Sequence, residues 1–362
     1  MERAMTPSHI AALRLHNQQI ARMRFQQPHE LLAWLGAAQG QDYSGALWAL
    51  GLRLPASTEA QIEQALLDKR IVRTWALRGT LHLVAATDLR WLLELLAPRM
   101  LAGAARRFHQ LGLDEATLAR SNRLIADAVS DGQPHSRTEL FARLDANGVS
   151  TQGQRGYYML IRASWDGLIA QGAAVRNVPT FWALDGSLPA GKALTRDEAL
   201  AELARRYFTS HGPATLTDFV WWSGLSTADA RLGLEGVKAE LSQETFDDQT
   251  YWFAADLATS PDTDGTLYLL PGFDEYLLGY RDRRAVLDPQ YANRIVPGGN
   301  GVFYPTIVSD GQVVGVWKRT FKKGGVLVSA EPFTSLTPAE AEAFAIAAQR
   351  FGDYLGLSAS LT

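Results

Sequence analysis

A short polar break between two apolar helical patterns holds the side chains best suited to chemistry. Gln39, Gln41 and Asp42 lie there among glycines and alanines, and leucines and tryptophans recur at helical spacing over residues 31–35 and 47–50. The glycines favour a departure from helix between Gln39 and Gln41, and side chains two apart in an extended segment share one side. Two amides and a carboxylate directed at one point can hold and polarise a water molecule. A polar turn that only connects two helices is the other interpretation.

The residues after this break are suited to begin the next helix. Asp42 or Ser44 is expected to cap it, because both residue types accept hydrogen bonds from the first free N–H groups of a helix. The first amides of that helix would then face the same pocket as the two glutamines. Asp42 is therefore a candidate for catalysis or for capping.

Composition limits the chemistry that is available. The 362 residues are 47% hydrophobic and include 10 Trp, which predicts a sizeable core, and a chain of this length is expected to form about two to four compact units. The absence of Cys excludes disulfides, a thiol nucleophile and thiolate zinc sites. The seven His lack the paired spacing of metal ligands, so we expect no metal and no cofactor.

Membrane and export signals are absent from the sequence. No apolar run reaches the roughly 20 residues that span a bilayer. The first residues lack the apolar segment and cleavage site of a signal peptide. We therefore expect a cytoplasmic protein with no membrane partner.

Charge is distributed unevenly along the chain. The formal net charge of −3 argues against a general nucleic-acid coat protein. Residues 1–110 contain 13 Lys and Arg and 8 Asp and Glu, a net charge of +5, whereas residues 111–190 have −1 and residues 191–362 have −7. The positive part of the chain is thus the part that contains the polar break.

Helices followed by a two-stranded hairpin recur along the chain. The first round predicts helices over residues 8–26 and 58–69, beside the two helices that flank the polar break, and a hairpin over residues 71–84. This order is typical of a winged helix-turn-helix unit, which binds duplex DNA or serves as a scaffold. Two further rounds, over residues 121–184 and 195–254, repeat the order with little sequence identity.

The last hundred residues differ from the preceding ones because short β-prone runs replace the pattern of helices followed by a hairpin. Short β-prone runs begin at Gly265, Asp310-Gly311 predicts a hairpin turn, and Thr337 is expected to cap a final helix. We therefore predict an α+β fold of three tandem winged helix-turn-helix units with a β-rich C-terminal region. The predicted divisions are residues 1–112, 113–190, 191–262 and 263–362.

Two groups of side chains are candidates for DNA contact. In the first hairpin these are Arg73, Trp75, Arg78 and His82, because a basic residue beside an aromatic ring at a hairpin tip suits phosphate contact and base stacking. The alternative is surface arginines over a half-buried Trp, with His82 a core histidine bonded to backbone. In the C-terminal region the candidates are Arg281, Arg283, Lys318 and Arg319, and the last two lie in a basic stretch with few acids nearby.

Other chemistry finds little support in the sequence. No GxSxG elbow or Walker loop occurs, and GGNG at residues 298–301 lacks the strand-then-helix setting of a dinucleotide site. Asp274 and Glu275 are adjacent, and on the expected strand they would point to opposite faces and form no acid/base pair. We expect a turn carboxylate paired with an arginine such as Arg283.

Five sequence blocks together resemble one known family. They occur in the family's order, cover nearly the whole chain, and read QGQDYSGALWALGLR, RTWALRGTLHLV, HGPATLTDFVWWSGL, LLPGFDEYLLGYRDR and VVGVWKRT. The family is that of the tandem winged-helix DNA glycosylases that unhook interstrand crosslinks, in the branch of the azinomycin-resistance glycosylase. The resemblance implies a C-shaped array of three winged helices that encloses duplex DNA.

The resemblance also implies an activity and its residues. The family removes alkylated purines, including those that tie the two strands together, through a motif of glutamine, aliphatic residue and glutamine. Gln39 and Gln41 match the two functional positions, whereas Gly40 stands at the aliphatic one. The expected function is that of a monofunctional DNA glycosylase, with no obligatory protein partner, that acts on cationic N7-alkylated purines in double-stranded DNA at the nucleoid. The alternative is a non-catalytic winged-helix regulator or lesion sensor.

Overall fold

Helices and strands both build the fold, as predicted. The computed structural model describes residues 5–174, 178–184, 186, 188–189, 191–255 and 265–362. The helices of this part of the chain are α1 Pro7–Asn17, α2 Pro28–Leu35, α3 Tyr43–Gly51, α4 Glu59–Leu67, α5 Leu89–Gln110, α6 Glu115–Val129, α7 Arg137–Ala146, α8 Arg155–Trp165, α9 Arg196–Ser210, α10 Leu216–Ser223, α11 Thr227–Val237, α12 Glu275–Leu278, α13 Ala292–Ile295 and α14 Pro338–Leu355. The strands are β1 Ala38–Gln39, β2 Ile71–Trp75, β3 Leu81–Ala85, β4 His135–Ser136, β5 Ile169–Gln171, β6 Thr180–Ala183, β7 Leu241–Phe246, β8 Gln249–Ala254, β9 Leu267–Leu270, β10 Thr306–Ser309, β11 Gln312–Lys322, β12 Gly325–Pro332 and β13 Ser358–Leu361.

The chain forms two compact units that differ from the four predicted segments. The first unit combines residues 1–62 with residues 200–362, and the second contains residues 63–199. The first predicted segment is split because its N-terminal helices pair with the C-terminal region: the indole N–H of Trp48 on α3 donates to the carbonyl of Leu269 on β9 at 2.8 Å. The assignment of three winged-helix units to the chain stays a prediction.

A five-stranded sheet and helix α14 form the core of the first unit around the C-terminal region. The strand order is β13-β12-β11-β10-β9, with antiparallel pairs except for the parallel pair β12–β13. The ring of Phe351 on α14 packs edge-on against Trp317 of β11, at 5.1 Å between centroids, and against Trp48, at 5.0 Å. The predicted turn at Asp310-Gly311 is confirmed, with positive φ at both residues.

The third predicted set of helices followed by a hairpin, over residues 195–254, lies in the first unit from residue 200 onward, and residues 195–199 belong to the second unit. Helices α9, α10 and α11 precede the antiparallel hairpin β7–β8. The predicted helix over residues 8–26 is wrong in its length, because α1 ends at Asn17 and Gln19 adopts a φ of +62° that no α-helix contains. Thr337 caps α14 through a hydrogen bond from the N–H of Glu340, as predicted.

The second unit contains helices α5 to α8 and its own antiparallel strands. Within this unit the strands follow the order β3-β2-β5-β6-β4. The predicted hairpin β2–β3 and the predicted helices of residues 121–146 are confirmed. Trp75 of β2 stacks on Phe181 of β6 at 6.3 Å between ring centroids. Residues 175–177 of the predicted second wing lie outside the described residues, as do residues 256–264 of the next predicted boundary.

Within the described residues, every helix is too short or too polar to cross a membrane.

Candidate active site

The polar break begins where helix α2 ends. Gly36 has a φ of +83°, which glycine adopts without steric cost, and it turns the chain out of the helix. Ala38 and Gln39 then form strand β1, and helix α3 starts at Tyr43. The predicted departure from helix between two flanking helices is confirmed.

Gln39 is held through its main chain and through its side chain. The residue is 8% exposed, and its backbone N–H donates to Oε1 of Glu275 at 2.8 Å. Its own Oε1 accepts a hydrogen bond from the N–H of Gly40 at 3.2 Å. Gln41, in contrast, is exposed. The protein therefore fixes the amide of Gln39 and presents Gln41 at the surface, where a ligand can reach it.

Glu275 is a buried carboxylate beside this motif. It is the first residue of α12 and is 2% exposed. Its Oε2 accepts a hydrogen bond from Nε1 of Trp222 at 2.9 Å and lies 3.4 Å from Nε2 of His211. Burial lowers the pKa of His211 more than the Glu275 carboxylate raises it, so the ring is neutral at neutral pH. As the Nε2–H tautomer, His211 is the third N–H donor to Glu275.

A buried ion pair anchors the residue before Glu275. Arg53, just after helix α3, donates through its two terminal nitrogens to both oxygens of Asp274, at 2.7 and 2.8 Å. Both side chains are buried, and Nε of Arg53 also donates to the carbonyl of Gln18 at 2.9 Å. Removing one partner of such a pair costs about 3–5 kcal/mol. The pair thus fixes α12 to the segment that follows the motif helix.

The expectations for Asp274 and Glu275 need correction. Asp274 is the N-cap residue of α12, so the two acids lie at a helix start and not on a strand. The arginine partner of Asp274 is Arg53, whereas Arg283 donates through Nε to the carbonyl of Leu277 at 2.7 Å. The prediction chose an arginine close in sequence, and the fold supplies one from more than 200 residues away.

Asp42 occupies the N-cap position of α3 but does not cap it through its side chain, as far as the described residues show. Its carboxylate forms an ion pair with Arg319 at 3.6 Å and accepts from the hydroxyl of Ser44 at 3.3 Å. Arg319 also donates to Oγ of Ser44 at 2.7 Å. Capping by the side chain of Asp42 is therefore wrong, and Arg319 is a neighbour of the glutamine motif instead of an unopposed surface cation.

Three of the four candidates in the first hairpin are buried. Arg73, Trp75 and His82 are 6%, 2% and 0% exposed, and both faces of strand β2 are covered. Arg73 donates to Oε1 of Gln171 at 2.6 Å, and Nδ1 of His82 lies 2.9 Å from a backbone carbonyl oxygen. Their predicted exposure to DNA is wrong, and His82 is a core histidine. Arg78 lies partly exposed at the hairpin turn, where contact with DNA stays a prediction.

The C-terminal cations are more accessible but are not unopposed. Lys318 is exposed and lies 2.5 Å from the carboxylate of Glu331 on the neighbouring strand β12. Arg281 is exposed, and the guanidinium of Arg283 lies over the ring of Phe303 at 4.9 Å. Few acidic residues lie near Lys318 in the sequence, but the fold brings Glu331 beside it.

Sequence reasoning did not place three residues beside the motif: Glu275, His211 and Trp222. One signal was available, because Glu275 lies within the apolar run LLPGFDEYLLGY, and a carboxylate buried by such neighbours needs hydrogen-bond donors. The identity of those donors depends on the packing of α9 and α10, which no local pattern contains.

This arrangement is suited to orienting a water molecule. An amide carbonyl offers a fixed oxygen dipole and takes up no proton at neutral pH. Glu275 is buried and its Oε1 is bonded to the backbone N–H of Gln39, so it is placed to hold the main chain of Gln39 and not to contact a ligand. The chemistry that this arrangement can support is positioning and electrostatic stabilisation, at a motif in which Gln39 is buried and Gln41 is exposed.

The fold is that of a solved DNA glycosylase. The structure covers 99% of this chain and 100% of the Streptomyces sahachiroi DNA glycosylase AlkZ, with a TM-score of 0.80 and 24% sequence identity. The mixed α and β architecture predicted from the sequence is therefore confirmed.

The chain belongs to the AlkZ-like DNA glycosylase family, whose model matches residues 32–354. It is also 28% identical, over 342 residues, to the interstrand DNA cross-link repair glycosylase of Streptomyces sahachiroi, a match of 86% of this chain and 87% of that protein. The matched range contains the positions of Gln39, Gln41 and Glu275. The chain is an enzyme of the DNA glycosylase class, and the resemblance based on the five sequence blocks is confirmed.

Proposed function

We propose that this glycosylase hydrolyses the N-glycosidic bond of cationic N7-alkylated purines in double-stranded DNA, and that Gln39 and Gln41 position the attacking water. The observation that supports this best is the fixed amide of Gln39, with its backbone held by Glu275 and its Oε1 by Gly40. The relative from Streptomyces sahachiroi is named for interstrand cross-link repair, which supports bulky adducts and crosslinks as further substrates.

The chemistry of the substrate matches the groups at the site. An N7-alkylated purine is a cation and leaves as a neutral base, so its departure needs no proton from the enzyme. The barrier lies in a sugar with oxocarbenium character and in the attack of water. Carbonyl dipoles from Gln39 and Gln41 can orient that water and face the developing positive charge. A glutamine does not deprotonate water, so positioning and electrostatics provide the catalysis.

Exposed cations are the proposed contacts to the DNA backbone. Arg78, Arg281 and Lys318 are at least partly exposed, and phosphate contacts fix the position of a protein on a duplex without reading its sequence. This substrate places the enzyme at the nucleoid. A non-catalytic regulator fits less well, because the family of the chain is one of glycosylases and the motif includes two amides that operator binding does not require.

Release of base from a defined lesion tests the proposal. A duplex with one N7-methylguanine is incubated with the full chain, and free base and abasic sites are counted. We expect one abasic site for each base released and no strand cleavage by the enzyme itself. An intact lesion under conditions where the enzyme binds the duplex would contradict the proposed substrate.

Lys318 provides a test of backbone contact. The Lys318→Ala variant is expected to weaken binding to duplexes of different sequence alike and to reduce the slope of log affinity against log salt by about one unit. The exposed pair with Glu331 does not prevent this, because such pairs contribute only about 0–1 kcal/mol and exchange readily for phosphate. Binding is measured by fluorescence anisotropy at several salt concentrations.

Lys238 is the matched control for this variant. It is another exposed lysine with a glutamate partner, Glu235, but it lies after helix α11. Lys238→Ala should leave the salt slope unchanged. A preference of the wild-type protein for one short sequence would instead support a regulator.

A further inference from the structure

The carboxylate of Glu275 connects three separate elements of the first unit. Its Oε1 accepts from the backbone N–H of Gln39 on strand β1, and its Oε2 accepts from Trp222 on helix α10. His211, just after helix α9, faces the same Oε2 with its Nε2 at 3.4 Å. A buried carboxylate is costly unless N–H groups satisfy it, and these donors come from elements that are distant in sequence. One anion thus determines how three elements meet beside the motif.

The same donors also pack against the start of the motif. A Cβ atom placed on Gly36 would lie 3.2 Å from Cη2 of Trp222, so the indole that donates to Glu275 also fills the space beside the helix end. The His211 ring is stacked on Tyr207 at 4.9 Å and is completely buried. The segment from Gly36 to Gln39 is therefore held at one end by the Trp222 ring and at the other by the Glu275 carboxylate.

We propose that Glu275 is a positioning residue of this glycosylase, which aims the amide of Gln39 by holding its main chain. The inference rests on the proposed role of Gln39 in orienting water. A hydrogen bond from the backbone N–H of Gln39 to Oε1 connects the carboxylate to the motif directly, and the side-chain oxygen of Gln39 is fixed in turn by the next residue, Gly40. A shift of Gln39 N–H therefore moves the oxygen that faces the water.

Glu275→Gln is the variant that tests this role with the least change in volume. A carboxamide has one acceptor oxygen and one NH₂ group, so it cannot accept from Gln39 on one side and from Trp222 on the other. We expect the rate constant for release of N7-methylguanine under single-turnover conditions to fall about 10- to 100-fold, because small misplacements of positioned groups have effects of that size. The dissociation constant for the duplex should not change.

A double-mutant cycle separates positioning from a general loss of stability. If Glu275 acts through Gln39, Glu275→Gln should have almost no further effect on the rate constant in the Gln39→Ala background. Multiplicative effects of the two substitutions would overturn the positioning role. Glu202→Gln is the matched control, since it also removes a buried, ion-paired carboxylate from the first unit, and it should retain the wild-type rate constant.

Amide hydrogen exchange tests the same contact without activity. In the full-length protein, the Gln39 amide should exchange at least about tenfold faster in Glu275→Gln than in the wild type or in Glu202→Gln, because it loses its acceptor. Unchanged exchange of the Gln39 amide in Glu275→Gln would overturn the positioning role, even if that variant releases the base more slowly than the wild type. If the wild-type protein released no N7-methylguanine, the proposed function would be overturned. The exchange measurement does not require activity, so it tests the positioning role separately.

Discussion

Replacing Gln39 by Ala is expected to lower the rate constant for N7-methylguanine release by about 10²- to 10³-fold, which is the effect of removing one preorganised polar group that faces developing charge. The Gln39 amide is preorganised, because Oε1 accepts from the N–H of Gly40 and the backbone N–H donates to Glu275. Its carbonyl dipole therefore requires no reorganisation when the sugar becomes cationic. Single-turnover kinetics at saturating enzyme measure this step apart from binding.

Gln41→Ala should also lower the rate constant by about tenfold or more, for a related reason. Gln41 is exposed, so its side chain can contact the DNA as well as the water. The loss of Gln41 is thus expected to affect the rate constant and, more weakly, the affinity for the duplex. Gln39 is fixed by the protein itself, and its loss should affect the rate constant alone.

Gln243→Ala is the control for both glutamine variants. Gln243 is an exposed glutamine on strand β7, and its replacement should leave excision unchanged. Thermal unfolding of all three variants shows whether they are folded at the assay temperature. Wild-type rates in both Gln39→Ala and Gln41→Ala would remove these residues from the mechanism.

The local pattern of the sequence was sufficient for the elements and for the position of the motif. The glycines around Gln39 predict the break between α2 and α3, and the two β-prone runs on either side of the Arg78-Gly79 turn predict the hairpin β2–β3. Both depend on neighbours in sequence. The burial of Arg73 could not be predicted in this way, because a strand that contains polar residues is expected to have one face in contact with water, and β2 is buried on both faces.

The partners of the motif could not be predicted from any local pattern, because they are distant in sequence. Asp42 is paired with Arg319, and Gln39 is bound to Glu275, each across more than 200 residues. Such contacts follow from how the N-terminal helices pack with the C-terminal region, and no spacing rule relates them. The sequence located the reacting groups, whereas the residues that hold them in place emerged only from the fold.

The enzyme is expected to release N7-methylguanine and to leave uracil in DNA intact. Uracil is a neutral base, and it departs as an anion unless a general acid protonates it or the site stabilises its charge. A methylated purine cation departs as a neutral molecule without such help. The expectation therefore depends on whether an acid lies within reach of the base that is bound at Gln39 and Gln41.

Glu275 is a carboxyl group that packs against the motif from a distant part of the chain, and its surroundings make it a poor acid. N–H groups of Gln39 and Trp222 are bonded to its two oxygens and the residue is 2% exposed, so its carboxyl group faces the protein and not a bound base. His211 does not replace it, because burial lowers the pKa of the ring and leaves it neutral, with its Nε2 directed at Glu275. Asp274 is engaged in its ion pair with Arg53.

Two duplexes that differ at a single base pair, N7-methylguanine·C in one and a U·G mismatch in the other, measure the discrimination. We expect release of the methylated base and no detectable release of uracil at the same enzyme concentration. A site that attacks the sugar and does not enclose the base also tolerates a bulky adduct, unlike enzymes that turn the base into a deep pocket. Uracil release at a rate equal to that of N7-methylguanine would show that an acid reaches the leaving base, and a mechanism based on the glutamines alone would then be wrong.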